Sequence, residues 1–346
     1  MRAVRFAEYG DADVLKLEQV ADPVPGPGEV RVRVEYCALN HLDVWNRRGE
    51  SGVRIPLPHV LGADVSGTVD AAGPGAGDLA AGTPVLLHPG LSCGHCPECL
   101  AGRDNLCRHY TVLGTIHDGG YAEYVVVPRQ NVVPRPQNLN GPAAAAFPLV
   151  FLTAWHMLVG QARVQPGEHV LVLGGASGVG HAAIQIAKLF GARVTATAGS
   201  DEKLAFCREL GADDAFRHDQ ADILSEVRAR TDRRGVDVVV EHVGQVTWDQ
   251  SVKSLARGGR LVTCGATTGY AALTDLRYLF SRNLSILGSY MGGKAEMLAA
   301  LDFVAAGRLV PRVDLVFPLA EAAFAHRHLE ARRHMGKVVL AVTGQP

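Results

Sequence analysis

The 346-residue sequence lacks several features that would set its functional class directly. Its 34 basic and 35 acidic residues leave a net charge of −1, so neither a nucleic acid nor an anionic membrane surface is an expected partner. The opening MRAVRFAEYG has no apolar core of a secretory signal and is typical of a first strand. The sequence shows no internal repeat and no low-complexity tract. We therefore expect a cytoplasmic protein that acts on a small molecule.

Long hydrophobic runs are almost absent, and the one exception covers residues 143–160 (AAAAFPLVFLTAWHMLVG). This run is nearly long enough and apolar enough to span a bilayer. It contains Pro148, Thr153 and His156, and no second candidate span accompanies it. A buried helix that joins two domains is the better interpretation.

The cysteines do not form the pattern of a disulfide framework, because their number is odd and four of the seven lie within residues 93–107. Four thiolates in one short loop can close a tetrahedron about Zn²⁺ and leave no position for substrate. An iron–sulfur cluster uses similar ligands and remains an alternative, as does a loop without metal. The predicted ligands of one structural zinc per chain are Cys93, Cys96, Cys99 and Cys107.

Residues 170–191 (VLVLGGASGVGHAAIQIAKLFG) predict a buried strand, a tight turn and an amphipathic helix, in that order. This order is typical of a dinucleotide-binding fold, in which backbone N–H groups and the helix N-terminus approach a pyrophosphate. Read as G-x-G-x-x-G, the turn has a serine at its middle glycine position, and an ordinary Gly-rich turn remains an alternative. The predicted pyrophosphate-binding residues are Gly174, Gly175, Ala176, Ser177, Gly178, Val179 and Gly180.

The hydrophobic pattern divides the chain into three parts. Up to about residue 133, short runs of alternating polarity predict antiparallel strands joined by loops. From about residue 149, strands alternate with helices, which predicts a doubly wound parallel sheet of the α/β class. The last strand of this sheet is expected at 284–287, followed by a tail with two amphipathic helices and a final strand at 337–342. We place the domains at 1–148, 149–288 and 289–346, with the third part returning to the first.

The glycine turn, the four-cysteine loop and the order of β and then α/β together resemble the medium-chain dehydrogenase/reductase superfamily. The resemblance covers essentially the whole chain, up to the closing run GKVVL at 336–340. It implies a GroES-like catalytic domain, a Rossmann domain and an active site in the cleft between them. It also implies a homodimer, or a tetramer built from dimers, that pairs through the edge strand at 285–290.

Zinc alcohol dehydrogenases of this superfamily bind a second, catalytic zinc, but the matching positions here do not offer its ligands. By this resemblance, Asn40 replaces a cysteine, Ala63 replaces a histidine, and Leu149 stands where another cysteine is usual. The resemblance therefore implies a metal-free catalytic site beside an intact structural zinc loop. A zinc alcohol dehydrogenase with unusual ligands remains a rival; its candidate ligands are Cys37, His41, His59 and Asp64.

The resemblance also supplies candidate catalytic residues. Asn40 matches an asparagine of quinone reductases and is expected to orient the substrate or bind an oxyanion, with a turn cap as the alternative. His41 could exchange a proton near neutral pH, although a single loop histidine is often structural. Asp43 is expected to orient neighbouring loop residues, and Thr153 to contact the nicotinamide side or simply pack. The tyrosine that many metal-free relatives carry nearby is missing from the segment Gly-Glu-Ser at 49–51.

The preferred coenzyme is predicted from the end of the second Rossmann strand. Ala198 stands where NAD-selective domains place an acid that binds the adenosine ribose. Gly199 and Ser200 would admit a 2′-phosphate and Lys203 could neutralise it, while Asp201 next to them could instead cap a helix. We expect NADPH. The residues predicted to border the nicotinamide are Val243, Gly244, Gly265 and Ala266.

These observations together predict an NADPH-dependent reductase of activated double bonds or quinones. Without a Lewis acid, hydride chemistry is easier toward an acceptor that is already polarised. One alternative is the zinc alcohol dehydrogenase described above. Another is a nicotinamide-binding protein without catalytic activity.

Overall fold

The computed structural model describes residues 1–344 and divides the chain into two compact units. The first unit comprises Met1–Leu149 and Gly293–Pro346, and the second comprises Val150–Gly292. The chain crosses between the units after residues 149 and 292, whereas the sequence pattern predicts crossings after residues 148 and 288.

The N-terminal segment of the first unit consists mainly of short strands. Its elements are β1 (Arg2–Phe6), β2 (Lys16–Gln19), β3 (Glu29–Ala38), α1 (His41–Arg48), β4 (His59–Val60), β5 (Asp64–Ala72), β6 (Pro84–Leu87), β7 (Gly90–Leu91), α2 (Pro97–Leu100), β8 (Thr111–Val112), β9 (Tyr124–Pro128), β10 (Val132–Pro134) and α3 (Gly141–Ala146).

The rest of the chain alternates strands with helices and then returns to the first unit. The elements up to the second crossing are α4 (Pro148–Trp155), β11 (His169–Val172), α5 (Gly178–Leu189), β12 (Arg193–Ala198), α6 (Asp201–Glu209), β13 (Asp214–Arg217), α7 (Ile223–Arg230), β14 (Val236–Glu241), α8 (Trp248–Lys253), β15 (Leu255–Thr263), α9 (Leu276–Ser281) and β16 (Ser285–Gly288). The returning segment contains α10 (Lys294–Ala305), β17 (Val313–Pro318), α11 (Ala322–Glu330) and β18 (Lys337–Ala341).

The first unit is built on a seven-stranded sheet that needs both ends of the chain. Its strand order is β10-β6-β5-β3-β18-β17, and β9 also pairs with β3. On β3, Val30, Val32 and Val34 are fully buried and alternate with more exposed residues, as the sequence pattern predicts. Because β18 lies between β3 and β17, the C-terminal tail completes the core of the N-terminal unit.

The second unit contains a six-stranded sheet in which every strand pair is parallel. The strand order is β13-β12-β11-β14-β15-β16, which is the order 3-2-1-4-5-6 of the dinucleotide-binding fold. The central strands β11 and β14 are apolar and buried along almost their whole length, as expected for strands covered on both faces. The predicted fold class, a GroES-like β domain with a Rossmann domain, is confirmed.

One helical segment, Gly141–Gln161, is long and apolar enough to cross a membrane, but 78% of its most hydrophobic window is buried inside the protein. Such burial is typical of a core helix. The segment is interrupted after Trp155, where the helix widens into a π-helical stretch, His156–Gln161.

Two stretches differ from the sequence prediction. The sequence predicts a loop around His41 and Asp43, but this region forms α1. The Asp43 carboxylate accepts a hydrogen bond from the N–H of Asn40 and so caps the first turn of the helix. The β13–α7 unit was not predicted as separate elements. Strand β13 has only four residues, too short for a clear hydrophobic period.

Candidate active site and metal centre

The sheet of the first unit brings Asn40, Asp64 and Lys337 together from three distant parts of the sequence. In the antiparallel pairing of β3 with β18, Ala38 faces Val339, and the same register extends to Asn40 opposite Lys337. On the other side of β3, Ala38 faces Asp64, the first residue of β5. All three side chains are buried.

The side-chain amide of Asn40 is held at both ends. Its Oδ1 accepts a hydrogen bond from Lys337 Nζ at 2.6 Å, and its Nδ2 donates to Asp64 Oδ2 at 2.9 Å. The second hydrogen of Nδ2 has no acceptor among residues 1–344. Asn40 is also the N-cap residue of α1, where it forms a capping box with Asp43, so the turn-cap alternative and these tertiary bonds both describe it.

Asp43 lies beneath Asn40 with a fully buried carboxylate. Its oxygens accept from the N–H of Asn40 at 2.7 Å, the N–H of Gly62 at 3.2 Å and the hydroxyl of Tyr121 at 3.4 Å. Burial raises the pKa of Asp43 to about 6. Gly62 has φ +106°, and a Cβ there would lie 2.6 Å from the Tyr121 ring, so only glycine permits this close approach.

A buried hydrogen-bonded chain continues from Tyr121 to the surface of the unit. The Tyr121 hydroxyl lies 3.1 Å from His326 Nε2, and His326 Nδ1 lies 3.5 Å from Arg47 Nη1. Because Arg47 can only donate, we infer that Nδ1 accepts and Nε2 carries the hydrogen. Burial and the Arg47 charge lower the pKa of His326 to about 3. Arg47 also pairs with Glu330 at 2.7 Å.

The positions that would hold a catalytic zinc in related alcohol dehydrogenases do not fit a metal ion. Leu149 contributes only its backbone N–H, which donates to Asp64 Oδ1 at 2.7 Å, and Ala63 contributes a buried methyl group. The Lys337 ammonium lies 3.0 Å from Asp64 Oδ2 and would repel a divalent cation. Among the described residues, only the four-cysteine loop groups three or more metal-ligating side chains closely enough for one ion.

The two other predicted catalytic residues occupy different surroundings. His41 is the first residue of α1 and packs edge-on against Trp45, with ring centroids 4.9 Å apart. Thr153 belongs to the second unit, where it is buried on α4. Their catalytic roles stay predictions.

The four predicted thiolate ligands do converge. The Sγ–Sγ distances are 3.5 Å between Cys96 and Cys99, 3.6 Å between Cys93 and Cys107, and 3.8 Å between Cys93 and Cys99. A regular tetrahedron with Zn–S bonds of about 2.3 Å has edges of about 3.8 Å. The cluster therefore fits one zinc ion, whereas an iron–sulfur cluster would need thiolates spread around a larger core.

The predicted glycine turn joins β11 to α5 and presents free donors at the helix N-terminus. Ser177 caps the helix by accepting from the N–H of Gly180 at 3.0 Å. The backbone N–H groups of Gly178 and Val179 have no acceptor among the described residues and are partly exposed. This arrangement suits a pyrophosphate. Gly180 must be glycine, because a Cβ there would lie 2.2 Å from the carbonyl oxygen of Gly174.

The ends of β14 and β15 lie side by side in the second unit. A Cβ on Gly244 would lie 2.9 Å from Cα of Ala266, so the two predicted pairs, 243–244 and 265–266, are in contact. The buried Glu241 carboxylate fixes this edge by accepting from the N–H groups of Val243 at 2.6 Å and Gly244 at 3.0 Å. Because these two N–H groups already donate to Glu241, a ligand at this edge would have to bind other atoms.

The residues that follow β12 are those predicted to bind the adenosine end of the coenzyme, and that role stays a prediction. Ser200 caps α6 by accepting from the N–H of Lys203 at 3.3 Å. A Cβ on Gly199 would meet only His218, at 3.5 Å from Nε2. Arg217 pairs with Asp201 at 3.3 Å and with Asp219 at 2.6 Å, so the one nearby acid that could favour NAD is drawn toward a guanidinium.

Sequence reasoning missed several residues of these sites, among them Lys337, Tyr121, His326 and His218. Lys337 carried a usable signal, because it begins the otherwise apolar strand KVVLA and every residue of that strand is buried. The other three lie in segments without a motif, and their roles depend on tertiary packing.

Comparisons with known proteins agree with this architecture. The model of the alcohol dehydrogenase GroES-like domain matches residues 26–137, and that of the zinc-binding dehydrogenase family matches residues 178–306. A crystal structure of an NAD-dependent alcohol dehydrogenase is 51% identical, with a TM-score of 0.96 over 99% of this chain and 100% of its own. The quinone oxidoreductase of Sus scrofa is 30% identical over 98% of this chain and 97% of its own length. The NAD-dependent alcohol dehydrogenase of Sulfolobus acidocaldarius is 31% identical over 99% of this chain and 100% of its own length.

The fold, the thiolate cluster and these matches define a two-domain oxidoreductase with a structural zinc loop. The chain belongs to the medium-chain dehydrogenase/reductase superfamily, as the sequence resemblance implies. Its relatives include both quinone oxidoreductases and alcohol dehydrogenases. Membership is consistent with a soluble protein, and the cytoplasmic location stays a prediction.

Proposed function

We propose that the protein is an NADPH-dependent reductase that transfers hydride to an activated double bond or a quinone. The observation that carries this proposal is the surroundings of Asn40, where an amide donor and an ammonium replace metal ligands. In zinc alcohol dehydrogenases the metal is the Lewis acid that stabilises the alkoxide. Reduction of a polarised acceptor needs only hydrogen-bond donors for the enolate-like oxygen that develops.

The residues of the first unit then have defined tasks. When bound, NADPH would supply the hydride, and reduction of an enone or a quinone leaves an electron pair on the acceptor oxygen. The second Nδ2 hydrogen of Asn40 donates to that oxygen. A proton from His41 or from water completes the reduction. Asp43 and Tyr121 are too deeply buried to donate directly, and they hold the first turn of α1 in place.

The proposed preference for NADPH rests on the adenosine pocket of the second unit. Strand β12 ends at Ala198 and is followed by Gly199, and neither residue has a carboxylate to bind a ribose 2′-hydroxyl or repel a 2′-phosphate. Lys203, Arg217 and His218 supply positive charge or hydrogen-bond donors close to this end of the strand.

A second candidate function is NAD-dependent alcohol oxidation, because the solved relative with 51% identity bears that name. In this chain it would require a metal held by unusual ligands near Asn40. It predicts two zinc ions per chain, whereas the reductase proposal predicts one.

The deciding experiment is a screen of NADPH and NADH oxidation against quinones, enones, enoyl thioesters and aldehydes, with zinc quantified on the same preparation. We expect turnover with a quinone or an activated double bond, a preference for NADPH, and one zinc per chain. Alcohol oxidation that disappears with a chelator and returns with zinc would overturn the proposal. Tight NADPH binding without turnover of any acceptor would favour a non-catalytic binding protein.

We also propose that the protein forms a homodimer, or a tetramer built from dimers, through the edge of its parallel sheet. Strand β16 ends the sheet order, so one side of it has no partner strand in the second unit. Exposed apolar side chains lie near it in the sequence, including Leu276, Phe280 and Tyr290.

A further inference from the structure

Lys337 is a buried ammonium that the reaction proposed above does not use. It is only 2% exposed, begins β18 and lies opposite Asn40 in the sheet. A lysine is rarely buried so completely unless its charge is compensated. Its partner is Asp64, which is fully buried and 3.0 Å away. An apolar residue at position 337 would form the sheet equally well, so sheet formation alone does not explain the buried ion pair.

The ammonium has no hydrogen left for a ligand. Its three N–H bonds are matched by three oxygens, the Leu39 carbonyl at 2.6 Å, Asn40 Oδ1 at 2.6 Å and Asp64 Oδ2 at 3.0 Å. Lys337 consequently cannot itself bind the substrate oxygen. Any effect on the reaction must pass through the groups that it holds.

The group most affected is the amide of Asn40. Rotation of this amide by 180° would place its NH₂ group against the ammonium and its oxygen against the Asp64 carboxylate, so both contacts would become repulsive. The ion pair thus selects one of two otherwise similar orientations. It also draws electron density toward Oδ1, which makes the remaining N–H a stronger donor.

We propose that Lys337 is a positioning residue that locks the Asn40 amide with one polarised N–H free to bind the oxygen of the acceptor. The ammonium donates to Asn40, Asp64 and the Leu39 carbonyl, and it does not bind the substrate itself. This inference rests on the proposed reductase function for its catalytic consequence. The locked amide itself is a property of the folded protein and is testable without turnover.

The main test replaces Lys337 by alanine and adds back a primary amine such as n-propylamine. We expect kcat of K337A to fall about 10- to 100-fold, because a misoriented donor loses part of the effect of an oxyanion-hole group. The KM for NADPH should stay within about twofold of that of the wild type, and the amine should restore kcat and raise Tm of the variant only. The matched control is K16A, which removes an exposed lysine of the same unit. Full kcat in K337A, or amine that raises Tm without kcat, would overturn the proposal.

Two further measurements keep the test independent of folding and of turnover. If K337A does not fold, the variant K337M/D64N removes both charges at similar volume and should show the same loss of kcat. In a cycle with N40A, the effect of replacing Lys337 should vanish, since it acts through Asn40. In protein labelled with ¹⁵N-asparagine, the Asn40 side-chain amide signals, assigned with N40A, should shift in K337A and return with amine. Unchanged signals refute the lock, whereas shifted signals in a protein that reduces no acceptor refute only the proposed function.

Discussion

Asn40 is the residue on which the proposed chemistry depends most directly, because it offers the one free donor of its cluster. Replacing it by alanine should lower kcat for quinone or enone reduction by about 100- to 1,000-fold, the usual cost of losing an oxyanion donor. Steady-state kinetics with NADPH, together with the Kd for NADPH measured by fluorescence, would check this. The Kd should not change, because the glycine turn belongs to the other unit.

The N40A variant needs a control, because it also removes hydrogen bonds from Lys337 and Asp64. Removing the Asn40 side chain deprives Lys337 and Asp64 of one bond each, but their ion pair stays. The serine variant N40S keeps a small hydroxyl donor and should retain more activity than N40A. Equal activity of wild type and N40A would show that another group binds the acceptor oxygen.

His326 predicts a pH dependence of stability at the residue scale. Its pKa is lowered to about 3 in the folded protein by burial and by Arg47, against about 6.5 when unfolded. The unfolded chain therefore binds the proton first as the pH falls below 6.5, and the folded state loses stability. The loss attributable to this group is about 2 kcal/mol between pH 6.5 and pH 5.

Urea unfolding of the wild type and of H326Q at pH 6.5, 5.5 and 5.0 measures this effect. Glutamine can still bond to Tyr121 but does not titrate, so the stability of the variant should fall less steeply with acid. The control H117Q removes an exposed histidine and should keep the wild-type slope. Parallel profiles for wild type and H326Q would show that His326 binds its proton equally well in the folded and unfolded protein, so that its pKa is not lowered by folding.

At the scale of single elements, the turn between β12 and α6 is expected to decide the choice of coenzyme. A side chain at Gly199 meets only His218 at an ordinary contact distance, so aspartate fits there without distortion. Its carboxylate would repel a 2′-phosphate and accept hydrogen bonds from a ribose. We expect G199D to weaken NADPH binding at least about tenfold while NADH binding stays equal or improves.

The neutral variant G199N separates charge from size in this experiment. It has nearly the same shape as G199D and should keep most of the NADPH affinity. Titrations of both coenzymes, followed by nicotinamide fluorescence, give the four dissociation constants. If G199N loses NADPH as strongly as G199D does, the pocket rejects bulk rather than charge, and the proposed phosphate site would lie elsewhere.

The loop that carries the four cysteines is a second element, and we expect its folded conformation to depend on the bound zinc. The segment around the cysteines has little buried apolar surface, with Leu100 and Leu106 largely exposed. In C99S the zinc content should fall from one per chain to near zero after mild chelation, and hydrogen exchange over residues 93–107 should accelerate. The control C264S, outside the cluster, should keep one zinc. Iron in place of zinc in the wild type would contradict the assignment.

The elements with strong local sequence signals could be predicted from the sequence. The contacts that depend on how distant strands pair could not. The glycine turn, the four cysteines and the parallel sheet each follow from spacing or periodicity within a short segment. The pairing of Lys337 with Asn40 cannot be read in this way, because it depends on β18 returning from the far end of the chain to lie beside β3. The same holds for His326, which reaches Tyr121 from α11.

At the scale of the whole molecule, the exposed edge of the parallel sheet predicts the oligomeric state. Strand β16 has unpaired backbone groups on its outer side, and Phe280 on α9 is 70% exposed. Large apolar side chains near a free strand edge favour pairing with a second copy. We expect a dimer or tetramer by light scattering, and F280D should shift it toward smaller species as the protein is diluted. The control F324D places the same charge on a phenylalanine of the other unit that is also largely exposed, at 61%, and should leave the assembly intact. A wild-type monomer at micromolar concentration, or equal dissociation by both variants, would contradict assembly through this edge.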